Sequence, residues 1–552
     1  MAASSSETGQ KRAIFLYAAG LAAQALKSGE SLQRRKDSRT MNAPTRPVRR
    51  GRKTKPASEL PHQIGWRDIR NGMAPLAPLG DDQIEAIHQA SLRLLEEYGI
   101  EVMSAPARAL FGRAGAEVDE ATQIVRVDRE IIETAVAKAP SSFTLTPTNP
   151  ARALTVGGNH IHFGLVSGAP NAHDIRGGRR SGNFDDYKKL MKLGQSFNVI
   201  HFFGNQTLAP NDLPVNTRHL DTTFVNLTLT DKVFLSMSIG AGRVRDAAQL
   251  TAIARGLTMD QLADDPSSIT NININSPRKL DTEMASAAMA MAEMGQAAVI
   301  TPFTLMGAMT PVTLAAALAQ QNAEALFGIA MTQLVRPGAP VVYGGFTSNV
   351  DMKTGAPAFG TPENTLANIA GGQLARRYGL PYRTSACSTS NAVDAQAVWE
   401  TQMALWGAVT GHGNLIYHSA GWGEGGLVAD FEKLIVDCEM LQAMSEFLEP
   451  RSFTNADFGF DAHDEVAPGG HFFGAAHTME RYQSAFYSPF LSDWSNNENW
   501  RDAGARTTTE RAMEIWPKII EAYEPPVMDP ARIEEMQAYI ATRREAIGSD
   551  EP

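Results

Sequence analysis

The ten residues Tyr417-His418-Ser419-Ala420-Gly421-Trp422-Gly423-Glu424-Gly425-Gly426 set a phenol, an imidazole, an indole and a carboxylate among four glycines. Glycines at this density let the backbone take positive φ and let a ligand or partner come close. One chemistry for such a stretch is a phosphate cradle. No Lys or Arg stands in it, however, and Glu424 would repel an anion. The other is recognition by aromatic rings. Phe203, Tyr343, Phe346, Tyr382, Tyr417 and Trp422 all fall at the ends of apolar runs. Rings around a pocket with few fixed charges attract a quaternary ammonium, by about 0.5–2 kcal/mol per contact. Core packing explains part of any such set equally well. Arg383, beside Tyr382, is placed to pair with a substrate carboxylate, or to form an internal salt bridge with Asp394 or Glu400.

Other chemistries find little support. The chain has two cysteines, Cys387 and Cys438, which give neither a disulfide framework nor a zinc site. Cys387 follows an apolar run without a histidine close in sequence, so a buried bystander thiol is the expectation. No G-x-G-x-x-G follows an early strand and no H-E-x-x-H is present, so nicotinamide and zincin chemistry lack their signatures. Asp461-Ala462-His463 resembles the start of a D-x-H-x-x-G cobalt-ligand motif, but residue 466 is Val where glycine is required. No metal site is expected.

The elements that must position these residues are legible as a count. Eight extended apolar runs recur: Ile161–Val166, Asn198–Phe203, Lys232–Ile239, Ile269–Ile274, Ala298–Leu305, Ala339–Phe346, Leu380–Ala386 and Asn414–His418. Amphipathic stretches long enough to cross back separate them, such as Arg243–Gly256, Leu280–Glu293, Pro311–Leu334, Pro362–Tyr378 and Val393–Thr410. Strands alternating with helices make a parallel sheet. Eight units predict a closed (β/α)8 TIM barrel, an α/β fold, over an open doubly wound sheet. Chemistry then belongs at the C-terminal ends of the strands. The loop Asp351–Glu363 beyond the sixth run is too long for a plain connection; Thr361 and Pro362 close it by starting a helix.

Around the barrel, residues 159–450, the chain divides into a tail, a cap and an extension. Residues 61–158 read as an N-terminal cap segment, with helices at Asp81–Tyr98 and Arg129–Ala139 and a strand pair in Glu117–Val127. Residues 451–552 read as a C-terminal helical extension: a loop at Phe453–Gly474, helices at His477–Leu491 and Thr507–Tyr523, and a charged final helix. The first sixty residues carry 13 Lys and Arg against 4 Asp and Glu; the rest carries 37 against 56. Thr45–Pro56 has no hydrophobic face and reads as disordered. Residues 1–60 are thus a basic tail, or residues 1–40 precede a true start at Met41. Ala13–Ala25 imitates a short signal peptide but leads to no convincing cleavage site. The acidic remainder argues against a nucleic-acid partner, and no run reaches the roughly 18 apolar residues of a membrane span. A cytoplasmic protein is expected.

Longer motifs carry a resemblance. Gly307–Glu324, Met352–Glu363, Asp394-Ala395-Gln396 with Glu400, and His418–Leu427 are similar to the trimethylamine methyltransferase (MttB) superfamily of corrinoid-dependent methyltransferases. Ser276-Pro277 with Asp281, His477–Glu480 and Tyr523–Pro526 add to it, and the similarity spans about residues 65–530. The resemblance implies a barrel, and transfer of a methyl group from nitrogen to Co(I) of a corrinoid. That corrinoid, a cobalamin, would be carried by a separate cognate protein, with none bound by this chain alone. Archaeal trimethylamine enzymes of the family carry pyrrolysine, whereas this sequence contains only standard residues and is closer to the glycine betaine:corrinoid type.

A quaternary ammonium leaves as a neutral tertiary amine and needs no such activation, so glycine betaine is the expected donor. Trimethylamine, another betaine, carnitine and choline are the alternatives. A non-catalytic sensor of quaternary amines is the reading from another class. In the enzyme reading Tyr343, Phe346, Tyr382, Tyr417 and Trp422 cage the ammonium, and Arg383 or His418 holds the carboxylate. Gly421, Glu424, Gly425 and Gly426 face the corrinoid. No catalytic residue is singled out. A homo-oligomer is expected, of unspecified order.

Overall fold

The structure, a computed structural model, describes residues 60–204 and 206–548. The basic tail, its disorder and the alternative start at Met41 lie outside them. Eight parallel strands run in chain order: β1 His160–Leu165, β2 Phe202–Phe203, β3 Val233–Ser236, β4 Ile269–Ile272, β5 Ala297–Ile300, β6 Val341–Gly344, β7 Tyr382–Ser385 and β8 Leu415–Ala420. The last pairs with the first, Leu415 against His162 and Ile416 against Phe163, so the sheet closes. Most of these strands are buried on both faces, as parallel strands covered by helices must be.

Each strand is followed by a helix on the outer ring: α1 Phe184–Ser196, α2 Arg218–Leu229, α3 Ala241–Arg255, α4 Thr282–Glu293, α5 Leu314–Val335, α6 Pro362–Arg377, α7 Ala395–Thr410 and α8 Phe431–Leu448. This is the (β/α)8 barrel that the alternating pattern predicts. Side-chain caps start several helices where the sequence signals them. Thr361 Oγ1 accepts from Asn364 N with Pro362 following, and Asp394 accepts from Gln396 N and Ala397 N.

Two predicted runs divide. Ala298–Leu305 yields β5 and a second strand, Phe303–Met306; Ala339–Phe346 yields β6 and a second strand, Phe346–Val350. The two second strands pair with each other above the barrel, Phe303 opposite Phe346, and Pro357–Ala358 adds an antiparallel edge. Pro302 has no N–H to give a ladder, so the barrel strand stops before it. The stretch predicted as a helix over Asp81–Tyr98 is α-helical to Arg93 and ends in a π turn, Leu94–Tyr98. In the extension, Phe453–Gly474 holds a short helix, Phe460–Glu465, instead of loop alone. Of His477–Leu491 only the part within Ala476–Arg481 is helical. No helix among the described residues is long and apolar enough to cross a membrane.

The N-terminal end of the barrel is filled. Leu145, Leu154 and Val156, on the hairpin Ser142–Leu145 with Leu154–Gly157, share one apolar cluster with the inward residues Phe202, Val233, Leu235, Ile269, Val299, Val342, Leu415 and Tyr417. Ile69–Arg70 adds antiparallel to the start of β1, and Trp66 packs beside His201 with ring centroids 5.0 Å apart. Ile100–Val102 pairs with Lys279–Leu280 between β4 and α4. At the other end of the chain Thr508–Glu521 packs on α8, and Tyr539 and Arg543 of Pro530–Ile547 bond Asp246 of α3.

Closure rests on Asn414, which is buried beside β8. Its Oδ1 accepts the Tyr382 N–H at 2.9 Å, while its Nδ2 donates to Gly158 O and His160 O at 3.1 and 2.9 Å. One side chain thus ties β7, β8 and β1 together. Asn414→Ala leaves a buried N–H and two carbonyls short of a partner, so stability should fall by about 2–4 kcal/mol. A urea midpoint unchanged from the unsubstituted chain would show that the seam closes without it.

Candidate active site

Strand alternation decides which side chains enter the lumen. On β7, Tyr382 and Thr384 face the helices, the first donating to Asn368 O and the second to Asn368 Oδ1. Arg383 therefore faces in. Its guanidinium lies 4.2 Å from the Tyr417 ring centroid and 4.8 Å from that of Phe346. It donates to Gly345 O at 3.2 Å and to His418 Nε2 at 3.4 Å, and its buried Nε has no partner. No carboxylate reaches it among the described residues. The internal salt bridge considered from sequence is absent: Asp394 caps α7 and Glu400 serves the loop after β7. Burial lowers the Arg383 pKa to about 10, so the group stays a cation near neutrality.

His418 sits where β8 departs from regular pairing. Ile416 faces Phe163 and Ala420 faces Leu165, so β8 carries two extra residues there, and His418 takes φ +58°. Such a bulge re-aims side chains. Tyr417 and the residue after it both reach the same cluster of rings as a result. Burial, then the neighbouring Arg383 charge, push the His418 pKa well down, which leaves a neutral imidazole. Because arginine only donates, Nε2 accepts and the proton is on Nδ1, which is buried without a partner.

Rings enclose the pair. The centroid of Trp422 is 3.9 Å from that of His418, and Phe346 is 5.8 Å from His418 and 6.4 Å from Trp422. Phe303 and Phe359 complete the group at 4.9 and 5.5 Å from Phe346. Sequence reading missed these two. Phe359 lies inside the long loop that drew attention, and Phe303 directly follows Pro302. Tyr417 OH, Trp422 Nε1 and Ser385 Oγ are further buried polar atoms without partners. Burial raises the Tyr417 pKa above its usual range, and Cys387 is pushed up to about 12.

Tyr343 and Tyr382 do not belong to this cage. Tyr343 donates to Asn322 Oδ1 at 2.9 Å, and both tyrosines pack with α5 and α6 in the layer outside the sheet. Phe203 also faces outward, against Gly194 of α1, while the Phe202 ring lies tilted against that of Tyr417, with centroids 5.1 Å apart. The period of two that brings Arg383 inward sends its neighbours out.

The glycine run is a fixed structure. Gly421 N donates to Asp437 Oδ2 at 2.9 Å, Trp422-Gly423 pairs with Val428–Asp430, and Glu424 forms an ion pair with Arg179 at 2.9 Å. At Gly426, with φ +105°, a Cβ would lie 2.4 Å from the Trp422 ring, so glycine is what lets the indole lie where it does. The group His173, Asp430 and Glu432 gathers ligand-type atoms, but they bond one another and nearby groups: His173 Nδ1 to Asp430 at 2.6 Å, Asp430 to Lys433 N, and Glu432 to Trp516 Nε1 and Ile175 N. His463 lies elsewhere, on the short helix Phe460–Glu465, with its ring 5.1 Å from that of Phe472.

Glu400 of α7 ties three site loops together. Its Oε2 accepts from Ser388 Oγ, Thr389 N and Ser390 N at 2.9, 2.7 and 3.1 Å. That turn in turn receives Phe359 N on Thr389 Oγ1, Glu424 N on Ser390 O and Gly425 N on Ser388 O. Glu400→Gln weakens three charge-assisted bonds and should cost about 1–3 kcal/mol of stability. Amide exchange at Ser390, Glu424 and Gly425 should quicken, and unchanged exchange there would refute the tie.

A family model described as trimethylamine methyltransferase (MTTB) matches residues 45–548. The chain is 35% identical to a glycine betaine methyltransferase of Desulfitobacterium hafniense (strain Y51), over 86% of this chain and 98% of that one. It is 29% identical to trimethylamine methyltransferase MttB of Desulfitobacterium hafniense (strain DSM 10664 / DCB-2), over 82% and 90%. It is 27% identical to a proline betaine:corrinoid methyltransferase of Eubacterium limosum, over 75% and 87%.

Proposed function

The chain belongs to the trimethylamine methyltransferase family, and from that premise we propose that it takes a methyl group from glycine betaine and passes it to a corrinoid on a separate protein. The observation that carries this reading is Arg383: a cation held inside the barrel, on two ring faces, with no acid beside it among the described residues. A buried charge without a partner is costly, and a ligand carboxylate removes that cost. The unpaired donors at Arg383 Nε, His418 Nδ1, Trp422 Nε1 and Tyr417 OH can all serve carboxylate oxygens. A trimethylammonium group needs no hydrogen bond, only ring faces, and Phe303, Phe346, Phe359 and Trp422 offer them. Trimethylamine and choline lack the carboxylate and would leave Arg383 unpaired.

Chemistry at the site agrees with such a donor. When the methyl–nitrogen bond breaks, the electron pair stays on nitrogen and dimethylglycine leaves as a tertiary amine, with no proton required. The lining groups are poor proton carriers near neutrality, since burial pushes His418 down and Tyr417 and Cys387 up. A Co(I) corrinoid, when docked, supplies the nucleophile that accepts the methyl group. The protein's own work is to bind the betaine, aim one methyl group outward and exclude water. Phe346, Arg383, Tyr417, His418 and Trp422 are the binding residues in this reading. The loop with Gly421, Glu424, Gly425 and Gly426 is the face toward the corrinoid protein.

Mixing the protein with a Co(I) corrinoid protein and glycine betaine should convert the Co(I) absorption to that of methyl-Co(III) and yield dimethylglycine. Turnover of trimethylamine without turnover of betaine would overturn the substrate; tight betaine binding with no methyl transfer would make the protein a sensor. Arg383→Met should weaken betaine binding about tenfold to a hundredfold by calorimetry. Binding should be level across neutral pH and fall as pH rises through about 10, because only the protonated guanidinium pairs with a carboxylate. Equal affinity in Arg383→Met would exclude this role.

A further inference from the structure

Beyond α8 the chain leaves its own core. From Arg451 to Phe490 only two side chains are buried, Ala462 and Ala475. The stretch is nevertheless rich in large apolar groups, all strongly exposed: Phe453 80%, Phe458 56%, Phe460 68%, Phe473 81%, Met479 55%, Tyr482 57% and Phe486 84%. Its two short helices, Phe460–Glu465 and Ala476–Arg481, hold each other through Ala476 N and Glu465, so the arm has a defined form while its rings face outward. A second apolar face lies on α7, where Trp399 is 60% exposed, Met403 41% and Trp406 39%. Their spacing puts them on one stripe of the helix. Phe447, 56% exposed, extends the stripe by meeting Trp406 edge to face, with ring centroids 5.4 Å apart.

We propose that the arm 453–486 docks on the α7 stripe of a second copy of this chain, each copy giving its arm to the other. Size favours this occupant. Seven large side chains of roughly 150–250 Å² each, more than half exposed, offer on the order of 700 Å². Taken along the whole arm, that area approaches the roughly 800 Å² per partner of a stable interface. Symmetry favours it as well. One chain carries both an uncovered arm and an uncovered stripe, and a two-fold exchange covers both at once. The arm departs beside Glu449, which pairs with Arg67 at 2.8 Å under the start of β1, at the end of the barrel opposite the active site.

Sedimentation equilibrium of the full chain at micromolar concentration tests this, and it does not depend on the proposed reaction. The unaltered protein should run at two or more chain masses. The double variant F473S with F486S, and separately Trp399→Glu, should run as one chain with an unchanged far-ultraviolet spectrum. Hydrogen exchange of the unaltered chain gives a second reading free of any folding defect: amides 453–486 should be protected at high concentration and lose protection on dilution. A single-chain mass for the unaltered protein overturns the proposal. So does assembly that survives both substitutions, or arm protection that appears only after a corrinoid protein is added.

Discussion

Arg383 is the constraint around which the candidate site is arranged. A guanidinium enclosed in a barrel must have its charge answered, and here the chain answers it with ring faces, a carbonyl oxygen and a neutral imidazole in place of an acid. The arrangement holds the charge without cancelling it. It also requires His418 to stay unprotonated beside a fixed cation, which burial ensures. The bulge in β8 is the backbone's part: without the two added residues, the side chains after Tyr417 would return to strict alternation.

The loops over the candidate site are held by two carboxylates, buried Asp437 and half-buried Glu400. Asp437 fixes Gly421, and Lys433 neutralises it at 2.7 Å. Glu400 binds the turn after β7, which anchors the backbone beside Phe359 and Glu424. The ring cluster is thereby held from behind, by hydrogen bonds more directional than apolar packing. Glycine at 426 completes this by leaving room for the indole of Trp422.

The barrel was legible in sequence because its signal is repeated: eight apolar runs, each followed by a helix with its own stop and start. Thr361-Pro362 announced α6, and the amphipathic stretch Val393–Thr410 placed α7, each within a residue or two. The site was legible only in part. Arg383, Phe346, Tyr417, His418 and Trp422 could be found at strand ends, but short apolar strands do not declare which face is inward, and so Tyr343 and Tyr382 were grouped with them. The bulge at His418 has no glycine to signal it. Phe303 was hidden because Ala298–Leu305 reads as one strand, although Pro302 divides it. The helix expected over His477–Leu491 stops at Arg481 for a related reason: helical periodicity is a weak guide where no core of the same chain lies behind the apolar residues.

The hairpin that stoppers the barrel at Leu145, Leu154 and Val156 sets the order of events. In the proposed reading, a small molecule in the lumen has its doorway, among the described residues, at the C-terminal ends of the strands, and a docking protein that takes its methyl group stands in that doorway. On that reading the amine enters before the protein docks, and the demethylated product waits until it departs. Turnover is then a queue with a compulsory sequence, in which a partner that arrives early obstructs the reaction it is meant to complete.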